Sequence, residues 1–152
     1  MQTREEKRQK KNIIKVYLSA DTGFDFSSSS DYQNILFDTC AFQEGDKLTY
    51  DTSTGKVTVG SGISYVRVSW GVIFYDNSGT TMRTDLYHTG EIVSSFFSAM
   101  NTSVNYNGLA PCSSIVSVNE GDAIYIRIAN YSNKTTTVNG REDRTFLIVE
   151  AI

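Results

Sequence analysis

The chain of 152 residues is 39% hydrophobic and 20% charged, with 11 glycines, one proline and 12% aromatic residues. That length favours one domain over two, and it suffices for a core that needs neither disulfides nor a structural metal. Thr, Ser, Val, Tyr and Ile dominate the middle of the chain while Ala, Leu, Glu and Lys are sparse there, a strand composition that argues against a helical enzyme fold.

No stretch nears the ~20 consecutive apolar residues of a membrane helix. Residues 1–12 hold no apolar run fit for a signal peptide, so the expectation is a soluble protein that is not exported and does not insert into a membrane. On that expectation Cys40 and Cys112 are free or buried thiols rather than a bridge.

Charge divides the chain in two. Within residues 1–12, Arg4, Lys7, Arg8, Lys10 and Lys11 outnumber Glu5 and Glu6 for a net of +3, which leaves −6 on the rest. A short basic arm before an acidic body points to an arm with its own partner, set against the simpler reading of a solvated terminus. The arm has no aromatic residue to stack on a base, and the acidic body repels phosphate, so no direct nucleic-acid contact is expected. Docking into a neighbouring protein is the better functional reading of Arg4, Lys7, Arg8, Lys10 and Lys11.

From residue 13 onward, short apolar or alternating runs follow one another without a linker. The first expected strand is 13–18, ending in Ser19-Ala20-Asp21-Thr22-Gly23. Asp-Thr-Gly is the triplet of the aspartic proteases, but Ser19 and Ala20 stand where that chemistry has apolar residues, so a turn is expected. After a loop containing serines 27–30 come runs at 32–37, 47–50 and 56–59, the last with Val57 and Val59 alternating with Lys56 and Thr58. The long run 64–75 ends at Asp76-Asn77-Ser78-Gly79, a hairpin corner.

Runs at 81–87 and 92–97 flank His88, the only histidine and therefore the only imidazole available to a serine or cysteine triad. Asp85, His88 and Glu91 hint at a metal site, yet Asp85 and His88 differ in parity along a strand and would face opposite sides. Cys112 follows Pro111 in an expected loop, with no sign of activation. The triplets beginning at Asn101, Asn130 and Asn133 read as polar loops. In 115–118 and 123–128 the alternation returns, placing Ile124, Ile126 and Ile128 inward and Tyr125 and Arg127 outward. Asn139-Gly140 marks another expected corner, where Asn and Gly accept positive φ, and 145–149 is the last run. About ten strands in one domain make a two-sheet antiparallel sandwich.

Three stretches carry a family resemblance. Tyr50-Asp51-Thr52-Ser53-Thr54-Gly55-Lys56-Val57-Thr58-Val59, followed by Gly62-Ile63-Ser64-Tyr65-Val66, is similar to a turn, a short strand and a glycine leading into a long core strand with an early tyrosine. Ile115-Val116-Ser117-Val118-Asn119-Glu120-Gly121-Asp122-Ala123-Ile124-Tyr125-Ile126 is similar to a strand, a Gly-Asp turn and a strand. Thr145-Phe146-Leu147-Ile148-Val149 occupies the place of the C-terminal strand, without its usual glycine and with a charged Glu150 following. Together these resemble the trimeric jelly rolls of the tumour necrosis factor (TNF) and complement-head superfamily.

The resemblance implies an all-β, two-sheet antiparallel jelly-roll sandwich behind the basic N-terminal arm, and a homotrimer. It puts Tyr65, Tyr125 and Phe146 nearest the trimer axis, with the nine Tyr, eight Phe and one Trp leaving aromatic area for an interface. Small jelly rolls of this kind look like the head fibres, capsid decorations and tail-tip knobs of bacteriophages. The implied function is therefore a virion protein anchored through its arm to a capsid or tail platform, with polar loops suited to a host-surface glycan. The alternative is a bacterial intracellular or spore-surface structural protein, and a glycan-processing enzyme is the third reading. No catalytic set, cofactor or metal is expected from the residue pattern.

Overall fold

The computed structural model describes residues 11–28, 30–75, 81–99, 106–130 and 135–152. Among these residues it is all β, with thirteen strands: β1 (Ile13–Tyr17), β2 (Thr22–Phe24), β3 (Gln33–Asn34), β4 (Thr39–Glu44), β5 (Leu48–Asp51), β6 (Lys56–Val59), β7 (Tyr65–Tyr75), β8 (Thr81–His88), β9 (Glu91–Ala99), β10 (Tyr106–Ser117), β11 (Ala123–Asn130), β12 (Thr136–Val138) and β13 (Phe146–Ala151). Every pairing is antiparallel. The first sheet runs β2-β12-β7-β13-β1-β4 with β10 along the other edge of β7, and the second runs β5-β6-β11-β8-β9 with β3 also on β11.

Period-2 alternation builds the core between the sheets. Ile14, Val16, Val66, Val68, Trp70, Val72, Phe74, Leu147 and Val149 of the first sheet meet Leu48, Val57, Val59, Met82, Leu86, Ile124, Ile126 and Ile128 of the second, each at most 1% exposed. Along β7 this sends Tyr65, Arg67, Ser69 and Gly71 to the opposite, outer face. The long uniform strand is thus the axle of the first sheet, with β10 on one side and β13 then β12 on the other.

The sequence undercounts the strands, for identifiable reasons. The strand β4 is an edge strand paired only through β1, and its residues from Cys40 to Glu44 are all exposed, so no alternation marks it. Both β2 and β12 are three residues long. Cys112 lies inside β10 rather than in a loop, since the ladder continues past Pro111 with a register shift between Leu109 and Cys112. An irregular step of this kind is where a strand tolerates the missing N–H of proline. In the run 32–37 only Gln33 and Asn34 ladder onto β11, although Ile35 and Phe37 are fully buried and Leu36 is exposed. The expected corner at 76–79 lies outside the described residues.

The corner at Asn139-Gly140 differs more. The connection from β12 to β13 spans residues 139–145, and Gly140 is needed for close approach rather than positive φ: a Cβ there would run into the Ala20 backbone. Asp21 fastens that approach, its Oδ1 accepting from Asn139 Nδ2 at 2.7 Å and from the Gly140 N–H at 2.8 Å. The Asp-Thr-Gly triplet is therefore a clasp between two loops. The Gly-Asp turn before β11 is of the other kind, with Gly121 at φ 88°. There Asp122 Oδ2 accepts from the Asn119 N–H at 2.9 Å, and this bond, together with one to His88, holds its carboxyl below the ordinary range.

Candidate assembly face

The outer face of the first sheet is where exposed apolar groups collect. Strand register orders them in rows, since directly paired residues point to the same side. One row runs Glu44, Ile13, Glu150, Arg67 and Ile115 across β4, β1, β13, β7 and β10. The next runs Phe42, Lys15, Ile148, Ser69 and Ser113. On the other side lie Ile152, whose N–H donates to the Tyr65 carbonyl, and Tyr65 itself. Phe42 is 48%, Tyr65 52%, Ile152 54% and Ile115 61% exposed, while Ile13 and Ile148 are half-buried among them. Isolated exposed hydrophobes are ordinary, but a contiguous group on one sheet face marks an interaction surface.

Charge sits in the middle of this group. Glu150 Oε1 lies 3.3 Å from Lys11 Nζ, and its Oε2 lies 3.8 Å from an Arg67 guanidinium nitrogen. Lower on the face, Lys15 Nζ pairs with Glu142 at 3.2 Å and stands 5.4 Å from the centre of the Phe146 ring.

Of the three residues placed nearest an axis by the resemblance, the structure brings two to this face. Tyr65 and Phe146 both point outward from the first sheet, but Phe146 is in register with Gly71, six residues along β7 from Tyr65. At ~3.3 Å per residue they stand roughly 20 Å apart. Tyr125 is on the outer face of the second sheet, on the far side of the sandwich, and it is only 7% exposed. The alternation that sent Tyr125 away from the core is correct, but the side chain is covered by its neighbours: its ring stacks on Tyr87 at 5.3 Å, with Lys56 Nζ 4.9 Å from its centre. The three residues therefore do not share one face of the sandwich.

Tyr125 and Tyr87 belong to a polar layer that the sequence did not announce. Arg127 lies over the rings of Tyr87, at 4.7 Å, and Tyr32, at 5.2 Å. Arg83 donates to Asp85 Oδ1 at 2.7 Å, to the Tyr32 hydroxyl at 3.3 Å and to Ser95 Oγ at 3.1 Å. Asp85 is fully buried and in register with Arg127. These groups strap the segment carrying Tyr32 onto the second sheet. A period-2 reading predicts their parity, but not that a loop folds over them.

Of the anchor residues, Arg4, Lys7, Arg8 and Lys10 lie outside the described residues. Lys11, counted with them, is tied to Glu150, and Asn12 joins the sandwich by accepting from the Ala151 N–H at 2.8 Å.

The residues weighed for catalysis have other employment. His88 ends β8 with its Nε2 2.6 Å from Asp122 Oδ2, clamping the turn before β11. Asp85 instead faces the layer around Arg83, as its opposite parity to His88 requires. Burial pushes the Cys112 thiol up, away from the thiolate. Neither cysteine is in a disulfide, and they stand on β4 and β10, strands separated by β1, β13 and β7. Four strand spacings of ~4.8 Å exceed the reach of a disulfide. Asn130 is fully buried and donates to Thr136 Oγ1 at 2.8 Å, so it is not a surface loop residue. Among the described residues no group of three or more His, Cys, Asp or Glu side chains could hold a metal ion, and no helix is long and apolar enough to cross a membrane.

Solved structures with the same arrangement exist at low identity. The chain superposes on the Eiger TNF of S. frugiperda with a TM-score of 0.73 at 10% identity, covering 95% of this chain and 94% of that one. The fold is a TNF-like jelly roll. Murine APRIL at pH 5.0 matches with a TM-score of 0.69 at 16% identity, over 94% of this chain and all of that one, and murine APRIL at pH 8.0 gives 0.68 at the same identity and coverage. No family model and no curated protein sequence matches the chain. The resemblance seen in the Gly-Asp turn and the strands around it is thus one of fold, and no sequence match accompanies it.

Proposed function

We propose that this chain is a binding module that works as a homotrimer, with copies meeting through the outer face of the first sheet. The observation that carries the reading is the collection of Phe42, Tyr65, Ile115 and Ile152 on that face, each about half exposed or more. An apolar sheet face with a polar centre is what an interface between copies requires. The TNF-like fold supports the same assembly. A binding role is favoured over an enzymatic one because His88 is engaged with Asp122 in a turn, Asp21 in a clasp between loops, and burial keeps the Cys112 thiol away from the thiolate.

The finer reading is that the trimer is a knob on a bacteriophage virion, as a head fibre, capsid decoration or tail-tip subunit. In it the arm cations Arg4, Lys7, Arg8 and Lys10 dock into a capsid or tail protein, and the polar loops meet a host-surface glycan. Its support is the charge asymmetry, +3 in residues 1–12 against −6 in the rest, and the Ser, Thr, Asn and Tyr content of the connections.

Substituting Ile115→Lys tests the assembly, since three added charges would then be buried where 61% of an isoleucine now faces water. A folded monomer is the expected product, and an unchanged oligomer would refute this choice of face. For the finer reading, the full chain should sediment with virion particles and the chain lacking residues 1–10 should not. Equal occupancy by both would move the anchor off the arm.

A further inference from the structure

We infer that the Lys11–Glu150–Arg67 cluster is the polar centre of the interface between copies and selects which register they adopt, an inference that rests on the trimer reading above. An exposed ion pair ordinarily contributes little, because water and salt screen it. This cluster stands differently. It lies in the row that crosses the whole sheet, with Ile13 on one side and, past Arg67, Ile115 on the other. Ile152 and Tyr65 lie above it and Ile148 below. The Glu150 side chain is already only 25% exposed, against 53% for Lys11 and 48% for Arg67.

Any partner that covers the apolar groups must cover the cluster too. Two cations and one carboxylate then lose water together, and the described side chains give each cation the same acceptor. Glu44, in the same row on β4, is a further acidic group on this face, separated from Glu150 by Ile13. Lys15, in the next row, is held by Glu142. A desolvated cluster of this kind adds little net attraction but penalises every docking in which a cation parts from its carboxylate. Its two cations share one carboxylate, so a second copy docked in the register that brings a carboxylate such as Glu44 to the cluster leaves no cation short of an acceptor, whereas a slipped copy or an apolar stranger does. The apolar ring thus supplies affinity and the cluster supplies choice.

The test compares the full chain with Glu150→Gln and with the triple variant Lys11→Met, Arg67→Met, Glu150→Leu, by sedimentation velocity over a concentration series. Far-ultraviolet circular dichroism checks that each is folded. Glu150→Gln leaves two cations unpaired at the interface and should weaken assembly by about 100-fold or more. The triple variant should still assemble, but into a mixture of sizes instead of one. An unmodified chain that is monomeric at all concentrations overturns the trimer reading and this inference with it. A trimeric unmodified chain whose Glu150→Gln variant assembles equally well overturns only the role of the cluster. A triple variant that stays monomeric, or that forms one trimer as cleanly as the unmodified chain, overturns the division between affinity and choice.

Discussion

Replacing Asp85 by alanine should be the most damaging single change on the outer face of the second sheet. The carboxylate is fully buried and pairs at 2.7 Å with Arg83 Nε, whose side chain is 16% exposed, so the pair is shielded from solvent. Removing one partner of a buried ion pair typically costs 3–5 kcal/mol, because the other charge is left uncompensated. Arg83 would keep its bonds to the Tyr32 hydroxyl and Ser95 Oγ, at 3.3 Å and 3.1 Å, and among the described residues Asp85 Oδ2 has no partner to lose. These points put the loss at the lower end, about 3 kcal/mol. With a urea dependence of about 2 kcal/mol per molar, the unfolding midpoint should fall by about 1.5 M. Urea titration followed by tryptophan fluorescence reads this directly through Trp70, provided protein concentration is held fixed against any effect of assembly. The double variant Arg83→Met, Asp85→Leu removes both charges and should recover most of the loss. A shift below about 0.5 M for Asp85→Ala would mean that the layer is solvated and does not clamp the Tyr32 segment.

Gly140→Ala should prevent or severely impair folding, because its Cβ would meet the Ala20 backbone rather than a movable side chain; a thermal unfolding midpoint close to that of the unmodified chain would contradict this. Asp122, Asp51, Asp38 and Asp31 all have carboxyls held below the ordinary carboxylate range by hydrogen bonds, for Asp38 against an opposing desolvation effect. Since groups with depressed folded values stabilise above the unfolded value, their contribution should be fully present near neutrality and lost as pH falls below about 3.8. Asp122→Asn should shallow that acid loss in a pH series of midpoints. Cys40, exposed on the edge strand β4, should react with a thiol reagent at neutral pH before the partly buried Cys112, as mass spectrometry of the labelled chain would report.

What could be read from the sequence depended on how far each element was determined by its own neighbours in the chain. Strands with one face on the core, such as β7, β11 and β13, announce themselves because every second residue must be apolar. The edge strand β4 does not, since neither of its faces is buried and its backbone is held by pairing with β1 alone. The Gly-Asp turn was legible because Asn119 and Asp122 bond only three positions apart, whereas the clasp of Asp21 on Gly140 spans 119 positions. The candidate assembly face was half legible. The resemblance put Tyr65, Tyr125 and Phe146 together, but which sheet an outward residue belongs to is a matter of topology, and that is what separates Tyr125 from the other two. Lys11 reads as part of a charged arm until the register of β1 with β13 brings it to Glu150.

The trimer is the claim on which the functional reading depends, and its mass is the direct measurement. Sedimentation equilibrium on the full chain at micromolar concentration should return about 51 kDa, three times the 16.9 kDa of one copy. A mass of 16.9 kDa across the concentration range would contradict the account and leave the apolar face of the first sheet to some other partner.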